Sequence, residues 1–179
     1  DVIGVVDDAI VEADETVIVQ LTSISSGDPD VSINGAADTD TVLITDNDSA
    51  TVSIAGTTNG EETGPVNGVL TVTQTAEASV DTVVAYTVTG SATTGDDFTA
   101  LSGSVTITAG NTSATITVPT LDDAIVEDDE TVTLTLDTVS SGDPQVTIGT
   151  ASDSINLLDN EAATVSIATI SNASETGPT

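Results

Sequence analysis

The sequence predicts an all-β protein built from tandem immunoglobulin-like antiparallel β-sandwiches of about seven strands each. Three features lead to this prediction. Apolar residues alternate with Thr or Ser in many short segments, which is typical of strands with one buried face. Clusters of Gly, Asn and Asp separate these segments at short intervals, and no segment has a helical period. The 179-residue chain also contains 34 Thr, and β-branched residues favour strands.

The alternation is clearest in residues 131–137, where Val132, Leu134 and Leu136 face one side and the intervening Thr residues face the other. In chain order, the segments with this pattern are residues 51–55, 68–74, 82–88, 103–108, 113–118, 131–137, 145–148 and 153–158. Tyr86 and Phe98 are the only aromatic residues. We therefore expect a thin core of Val, Ile, Leu and Ala, with low stability unless a bound ligand adds to it.

An internal repeat has the length of a whole domain. Residues 6–17 recur as residues 121–132, and residues 51–55 recur as residues 164–168. A period this long indicates tandem domains, because solenoid repeats are much shorter. The predicted units are the C-terminal half of a repeat in residues 1–48, a complete repeat in 49–161 and the start of another in 162–179.

The charge composition excludes several classes of function. The chain has 30 Asp and Glu but no Lys, Arg, His or Cys, which gives a net charge of −30. Without basic residues it has no phosphate clamp, so we expect no nucleic-acid partner and no membrane insertion. Without His or Cys it has no imidazole base, thiolate or Cys–His zinc site, so we expect no enzyme activity. Paired acids such as Glu61 and Glu62 can catalyse glycoside hydrolysis, but with one Tyr and one Phe the chain has no aromatic platform to hold a sugar.

Acidic residues recur in the same predicted loops of successive repeats. An Asp-Asp-x-Ile-x-Glu motif follows one predicted strand, and an acidic turn closes the repeat. The later copy comprises Asp122, Asp123, Ile125, Glu127, Asp159 and Glu161, and the earlier copy comprises Asp7, Asp8, Ile10, Glu12, Asp46 and Asp48. Acidic turns are often merely solvated. Here, however, no basic residue offsets the repulsion, and Ca²⁺ takes six to eight oxygen ligands of this kind.

Residues 122–132, together with the closing turn 159–161 and the segment 95–98, which reads Gly-Asp-Asp-Phe, resemble the Calx-beta domain. That family includes the regulatory calcium-binding domains of sodium–calcium exchangers and many repeats of bacterial surface proteins. The resemblance implies a seven-stranded sandwich that binds Ca²⁺ in the loops at one end, near the junction with the next domain. Asn160 departs from the fully acidic closing turn of the exchanger domains.

The resemblance also implies a set of calcium ligands. In the complete repeat they are Glu62, Asp97, Asp122, Asp123, the Ile125 carbonyl, Glu127, Asp159 and Glu161. In the first half-repeat they are Asp7, Asp8, Ile10, Glu12, Asp46 and Asp48, whose companions equivalent to Glu62 and Asp97 would lie upstream. Glu175 would belong to a further site that this segment does not complete.

Together these features predict a non-catalytic structural repeat of a large extracellular or cell-surface protein, either an adhesin or a fibre, stiffened by Ca²⁺. Its partners would be neighbouring repeats or other copies of the chain. One alternative is a regulatory calcium-sensor pair, and another is a Thr-rich surface that adheres to a target or binds ice. Residues 1–48 would expose sheet edges unless another chain segment covers them.

Overall fold

The structure is a computed structural model that describes residues 2–170 and Glu175, and it contains no helix in this part of the chain. The strands are β1 (Glu15–Gln20), β2 (Thr39–Ile44), β3 (Ala50–Thr58), β4 (Gly60–Glu61), β5 (Gly68–Gln74), β6 (Thr82–Gly90), β7 (Ser104–Ile107), β8 (Ser113–Val118), β9 (Glu130–Ser141), β10 (Val146–Ile148) and β11 (Ser152–Leu158). Each segment predicted from alternation overlaps one of these strands. Among the described residues, no helix has the length and hydropathy needed to cross a membrane.

Strands β3 to β11 form two sheets packed face to face, which confirms the predicted all-β sandwich. One sheet has the order β10-β3-β5-β8 and the other has the order β4-β11-β9-β6-β7. The pairing is mainly antiparallel, as predicted, with two short exceptions at sheet edges, where β10 pairs parallel with β3 and β4 pairs parallel with β11. Both parallel pairs are short and lie where the chain crosses between sheets, so neighbouring edge strands run in the same direction.

The core lies between these two sheets, and it follows the alternation of the sequence. In β9, Val132, Leu134 and Leu136 are buried while the intervening Thr residues are half-buried on the other face. Phe98 and Tyr86 are the buried aromatic side chains, and aliphatic residues from both sheets surround them. Since strand direction alternates, the loops collect at two opposite ends of the sandwich. The end that includes Glu62 and the residues after β11 is called the acidic end, and the opposite end is called the base.

The first half-repeat forms a two-stranded antiparallel sheet from β1 and β2. Several of its apolar side chains are exposed at positions that are buried in the complete repeat. Val19 is 49% exposed, whereas Leu134, at the equivalent position of β9, is fully buried. Val42 likewise is exposed, whereas the equivalent Ile155 is buried. The hairpin therefore has the pattern of half a sandwich, with its inward face uncovered.

Val11 joins the half-repeat to the complete repeat. It precedes β1, yet its side chain is 0% exposed and belongs to the core of the following sandwich. Its backbone N–H donates to the Glu77 carbonyl at 2.9 Å, and its carbonyl accepts from the Ser79 N–H at 3.0 Å. These two bonds make a one-residue parallel bridge with Ala78 at the base of the complete repeat. The sequence-based interpretation missed this contact.

Candidate metal centre

Three carboxylates converge at the acidic end of the complete repeat. Glu62 follows the short strand β4, and Asp159 and Glu161 follow β11, which pairs with β4. Each side chain offers one oxygen atom, and these three atoms lie within 4.8 Å of one another. The pairing of β4 with β11 therefore brings together acids that are about a hundred residues apart in sequence.

Each of these carboxylates has one buried oxygen atom without a hydrogen-bond donor. Glu62 is only 6% exposed. The Oε2 atom of Glu62, the Oδ1 atom of Asp159 and the Oε2 atom of Glu161 are all buried without a hydrogen-bond partner. Buried carboxylate oxygens normally accept hydrogen bonds or bind a cation, because desolvation is costly. This donor set of hard oxygens fits a divalent cation such as Ca²⁺.

The same surroundings disturb the protonation of the cluster. Burial, together with the negative charges of Glu161 and Asp159, raises the pKa of Glu62 from its ordinary value of 4.5 to about 7. Desolvation and the adjacent Asp159 also raise the pKa of Glu161. The metal-free cluster therefore holds protons near neutral pH that exposed carboxyl groups would have lost.

A second group of acids lies beside this cluster. Asp97 is buried in the loop after β6, where its carboxylate accepts a hydrogen bond from the Thr93 N–H. Burial, a hydrogen bond with Asp97 and the charge of Asp97 together raise the pKa of Glu130 to about 7. Desolvation and the charge of Asp97 raise the pKa of Glu127. This group extends the negative potential of the acidic end.

Glu130 was missed by the sequence-based interpretation, although the alternation of β9 contained a signal for it. Residues two apart in a strand share a face, so Glu130 lies on the same face as buried Val132. An acid on the core-facing side of a strand is unusual unless it has a partner. Applying the period of two one step further back would have added Glu130 to the candidate ligands.

The Asp-Asp-x-Ile-x-Glu loop lies next to the closing turn, and its side chains are exposed. The Asp123 Oδ1 atom accepts a hydrogen bond from the Ile125 N–H at 2.6 Å, which fixes a local turn. The Asn160 Nδ2 atom lies 3.5 Å from the Asp122 Oδ1 atom. The negative charge of Asp123 contributes to the raised pKa of both Glu62 and Glu127. The predicted ligands of the complete repeat thus lie at one end, with Glu62, Asp159 and Glu161 in closest approach.

The profile of the Calx-beta domain family matches residues 2–48 and again residues 46–168. The chain belongs to the Calx-beta family. Calx-beta domains bind Ca²⁺, and the cluster of Glu62, Asp159 and Glu161 has the chemistry to hold it. No curated protein matches the sequence significantly.

Two crystal structures of Calx CBD domains resemble this one. CBD12 from CALX1.2 aligns with a TM-score of 0.52 and 20% identity, over 62% of this chain and 44% of that chain. The apo form of the Calx CBD1 domain aligns with a TM-score of 0.50 and 20% identity, over 62% of this chain and 98% of that chain. At this identity, the likeness shows a shared fold alone. The chain spans less than half the length of CBD12 from CALX1.2.

The first Calx-beta half-repeat has a similar acidic group at its own end. Acidic side chains line a cavity of about 430 Å³ there: Asp7, Asp8, Glu12, Glu15, Asp46 and Asp48. The Asp8 Oδ1 atom accepts from the Ile10 N–H at 2.9 Å, as Asp123 does from Ile125. The Asp46 N–H donates to the Asp14 Oδ1 atom at 3.1 Å, and the equivalent Asp159 N–H donates to Asp129 at 3.3 Å. The two copies therefore share loop geometry as well as sequence.

In this second acidic group, as in the first, desolvation and neighbouring acids raise the pKa values of carboxyl groups. Desolvation raises the pKa of Glu12, with further contributions from Asp8, Glu15 and others. Desolvation and the charge of Asp46 raise the pKa of Asp48. Since the neighbouring groups are all acids, no positive charge offsets the free-energy cost of removing a carboxylate from water. Glu175 is exposed, and the residues flanking it lie outside the described part of the chain.

The half-repeat cluster also touches the base of the complete repeat. The Gln145 Nε2 atom donates to the Asp46 Oδ2 atom at 3.1 Å, and the same Asp46 atom accepts from the Glu12 N–H at 3.0 Å. Asp143 is 4% exposed, and its charge contributes to the raised pKa of Glu12. The sequence-based interpretation missed Asp143 and Gln145, because their proximity depends on how consecutive repeats pack.

Proposed function

We propose that this chain is a non-catalytic, calcium-binding structural segment of a secreted or cell-surface protein, such as an adhesin or a fibre. In this proposal Ca²⁺ binds at the end of each repeat and rigidifies the repeat and its junction with the next. One observation carries the proposal: Glu62, Asp159 and Glu161 place three carboxylates within 4.8 Å, each with a buried oxygen that lacks a hydrogen-bond partner.

The proposed centre has Glu62, Asp159 and Glu161 as its inner ligands. Calcium takes six to eight oxygens, so further ligands are needed from nearby loops or water. The candidates for these positions are Asp97, Asp122, Asp123, the Ile125 carbonyl, Glu127 and Glu130. The ion would neutralise part of a negative charge that no basic residue of the chain offsets. It would thereby hold the loops of β4, β8 and β11 together.

A structural role is supported by the recurrence of nearly identical acidic motifs in the two repeats. Residues 6–12 and 121–127 share the acidic motif, and their loops form the same turn around Asp8 and Asp123. Similar consecutive repeats suit an extended array in which each unit contacts its neighbours. The proposed partners are therefore neighbouring repeats of the same chain, in an extracellular setting where millimolar Ca²⁺ is available.

The second candidate is a regulatory calcium sensor, and the fold shared with exchanger Calx domains favours it. Calcium affinity separates the two functions. Sensor sites bind with a Kd of about 10⁻⁷–10⁻⁵ M, whereas extracellular structural sites bind with a Kd of about 10⁻⁴–10⁻³ M. A sensor would also change conformation more than a structural repeat when Ca²⁺ binds, because a sensor must switch between two states.

Calorimetric titration of the metal-free chain with Ca²⁺ tests this proposal. We expect a Kd of about 0.1 mM, within the range of structural sites. The variant Glu62→Gln should weaken binding at least about tenfold, because it removes a ligand charge from the centre. The exposed neighbour provides a matched control, and Glu61→Gln should bind as the natural chain does. A micromolar Kd would favour the sensor, and no heat of binding would reject both functions.

A further inference from the structure

The junction in this structure contains a plug and a seat. The plug is Val11, in the acidic loop of the half-repeat, and the seat is the segment 77–79 at the base of the complete repeat. Val11 is fully buried there and forms two backbone hydrogen bonds with the seat, at 2.9 and 3.0 Å. Its side chain is part of the same core that contains Val72 and Ile107. A residue of one repeat thus completes the core of the next.

The complete repeat presents the same plug at its own acidic end. Val126 occupies the position equivalent to Val11, between the Ile and the Glu of the acidic motif. The preceding turn is also the same, since Asp8 accepts from Ile10 and Asp123 accepts from Ile125. Val126 is nevertheless 51% exposed and Ile125 is 60% exposed. Among the described residues, Val126 forms no strand bridge of the kind that Val11 forms.

We propose that Val126 plugs into the base of a following copy of the repeat, in the geometry by which Val11 occupies its seat. The sequence after the complete repeat supports this occupant, because residues 162–178 correspond to residues 49–65 at the start of that repeat. The seat segment of such a copy lies about a dozen residues beyond its matched start. The inference deepens the proposed structural function, because it specifies the contact that joins successive units.

This contact has a directional geometry. The plug lies at the acidic end of one unit and the seat lies at the base of the next, so the two surfaces are different. Contacts between unlike surfaces generate open arrays when the rotation between units does not close a ring. The Gln145–Asp46 hydrogen bond lies at the same junction as Val11 and Ala78. Docking of the plug therefore places the base of one repeat against the acidic closing turn of the preceding one.

Amide hydrogen exchange in an extended chain tests the proposal. Residues 66–161 would be appended after residue 178, which supplies a second complete repeat with its own seat. In the 179-residue chain we expect the Val11 amide to be protected and the Val126 amide to exchange rapidly. In the extended chain, exchange at Val126 should slow by at least about 100-fold, because its N–H gains the acceptor that Val11 already has. An unchanged rate at Val126 would overturn the proposal.

A substitution at the plug provides the second measurement. Val126→Asn should leave the melting temperature of the 179-residue chain unchanged, because Val126 is exposed there and the substitution adds no charge to the acidic end. In the extended chain the same substitution should abolish the protection of the amide at residue 126. It should also increase the maximum particle dimension measured by small-angle scattering. Equal destabilisation of both chains would mean a role within the repeat and would overturn the proposal.

The two chains should be measured both with Ca²⁺ and with excess chelator. If Val126 becomes protected in the extended chain while chelation changes nothing, the plug is correct and the calcium function fails. If chelation lowers the melting temperature while Val126 stays unprotected, the calcium function stands and the plug fails. The two proposals are therefore distinguishable.

Discussion

Excess chelator is expected to lower the melting temperature of the complete repeat by roughly 10–20 °C. An ion present at about 100 times its Kd stabilises the folded state by about 2.7 kcal/mol. Each kcal/mol shifts the melting temperature of a domain near 100 residues by about 4–8 °C. The effect is large because the core is aliphatic with few aromatics, and because the metal-free carboxylates of Glu62, Asp159 and Glu161 repel one another.

The measurement is a thermal unfolding scan of the 179-residue chain with 10 mM Ca²⁺ and then with excess EGTA. Mg²⁺ is the informative control, because it demands six ligands in near-ideal octahedral geometry and dehydrates reluctantly. We expect Mg²⁺ to restore little of the lost stability. Identical unfolding curves and scattering profiles with Ca²⁺ and with EGTA would contradict a stabilising role for the ion.

The metal-free chain is expected to become more stable as the pH falls from about 8 to about 5.5. The pKa values of Glu62 and Glu130 are raised from 4.5 to about 7 in the folded state, chiefly by burial. The folded state therefore binds more protons than the unfolded state between these values, and stability rises as the pH falls. This contribution is fully present below about pH 4.5 and is lost as the pH rises through about 7.

Glu62→Gln separates this effect from the general repulsion of an acidic chain. It removes a titrating carboxyl group from the buried cluster, so the melting temperature of the metal-free variant should be higher than that of the natural chain at pH 8. Its dependence on pH should be weaker. Glu61→Gln removes one charge from an exposed neighbour and should change neither quantity measurably. A melting temperature that falls steadily as the metal-free natural chain is acidified from pH 8 would contradict the buried cluster.

The contribution of Asp153 to stability should depend on pH in the opposite direction, and it should change at a lower pH. Hydrogen bonds from the Gly56 and Ser154 N–H groups lower its pKa below the ordinary value of 3.8. Its contribution to stability is therefore present at neutral pH and is lost only when the pH falls through its folded-state pKa. Acid unfolding below about pH 4 is consistent with stabilisation at pH 5.5, because different carboxylates act in the two ranges.

Much of the sandwich could be predicted from local sequence. Alternation in β9 identified Val132, Leu134 and Leu136 as core residues, because one face of a strand must be buried. The parallel pairing of β10 with β3 could not be predicted this way. It depends on where the chain crosses between sheets, and the three residues involved carry no pattern that distinguishes parallel from antiparallel partners.

Only part of the candidate centre could be predicted, because local sequence does not show the contacts that packing creates. Recurrence at domain spacing drew attention to Asp122, Asp123 and the closing turn, since a copied acidic loop needs a physical explanation. Predicting Glu130 would have required extending the alternating pattern of β9 back from Val132 by two residues. Asp143 and Val11 lie at the junction between repeats, so nothing in their local sequence indicates the burial that the neighbouring repeat imposes.

The most direct test of the central claim is anomalous diffraction from crystals of the chain grown with Ca²⁺. We predict an anomalous peak between Glu62, Asp159 and Glu161, with carboxylate oxygens about 2.3–2.6 Å from its centre. A peak at this position that disappears after soaking in chelator would establish the centre. Crystals containing 10 mM Ca²⁺ that show no peak there, with the three carboxylates turned apart, would contradict the account.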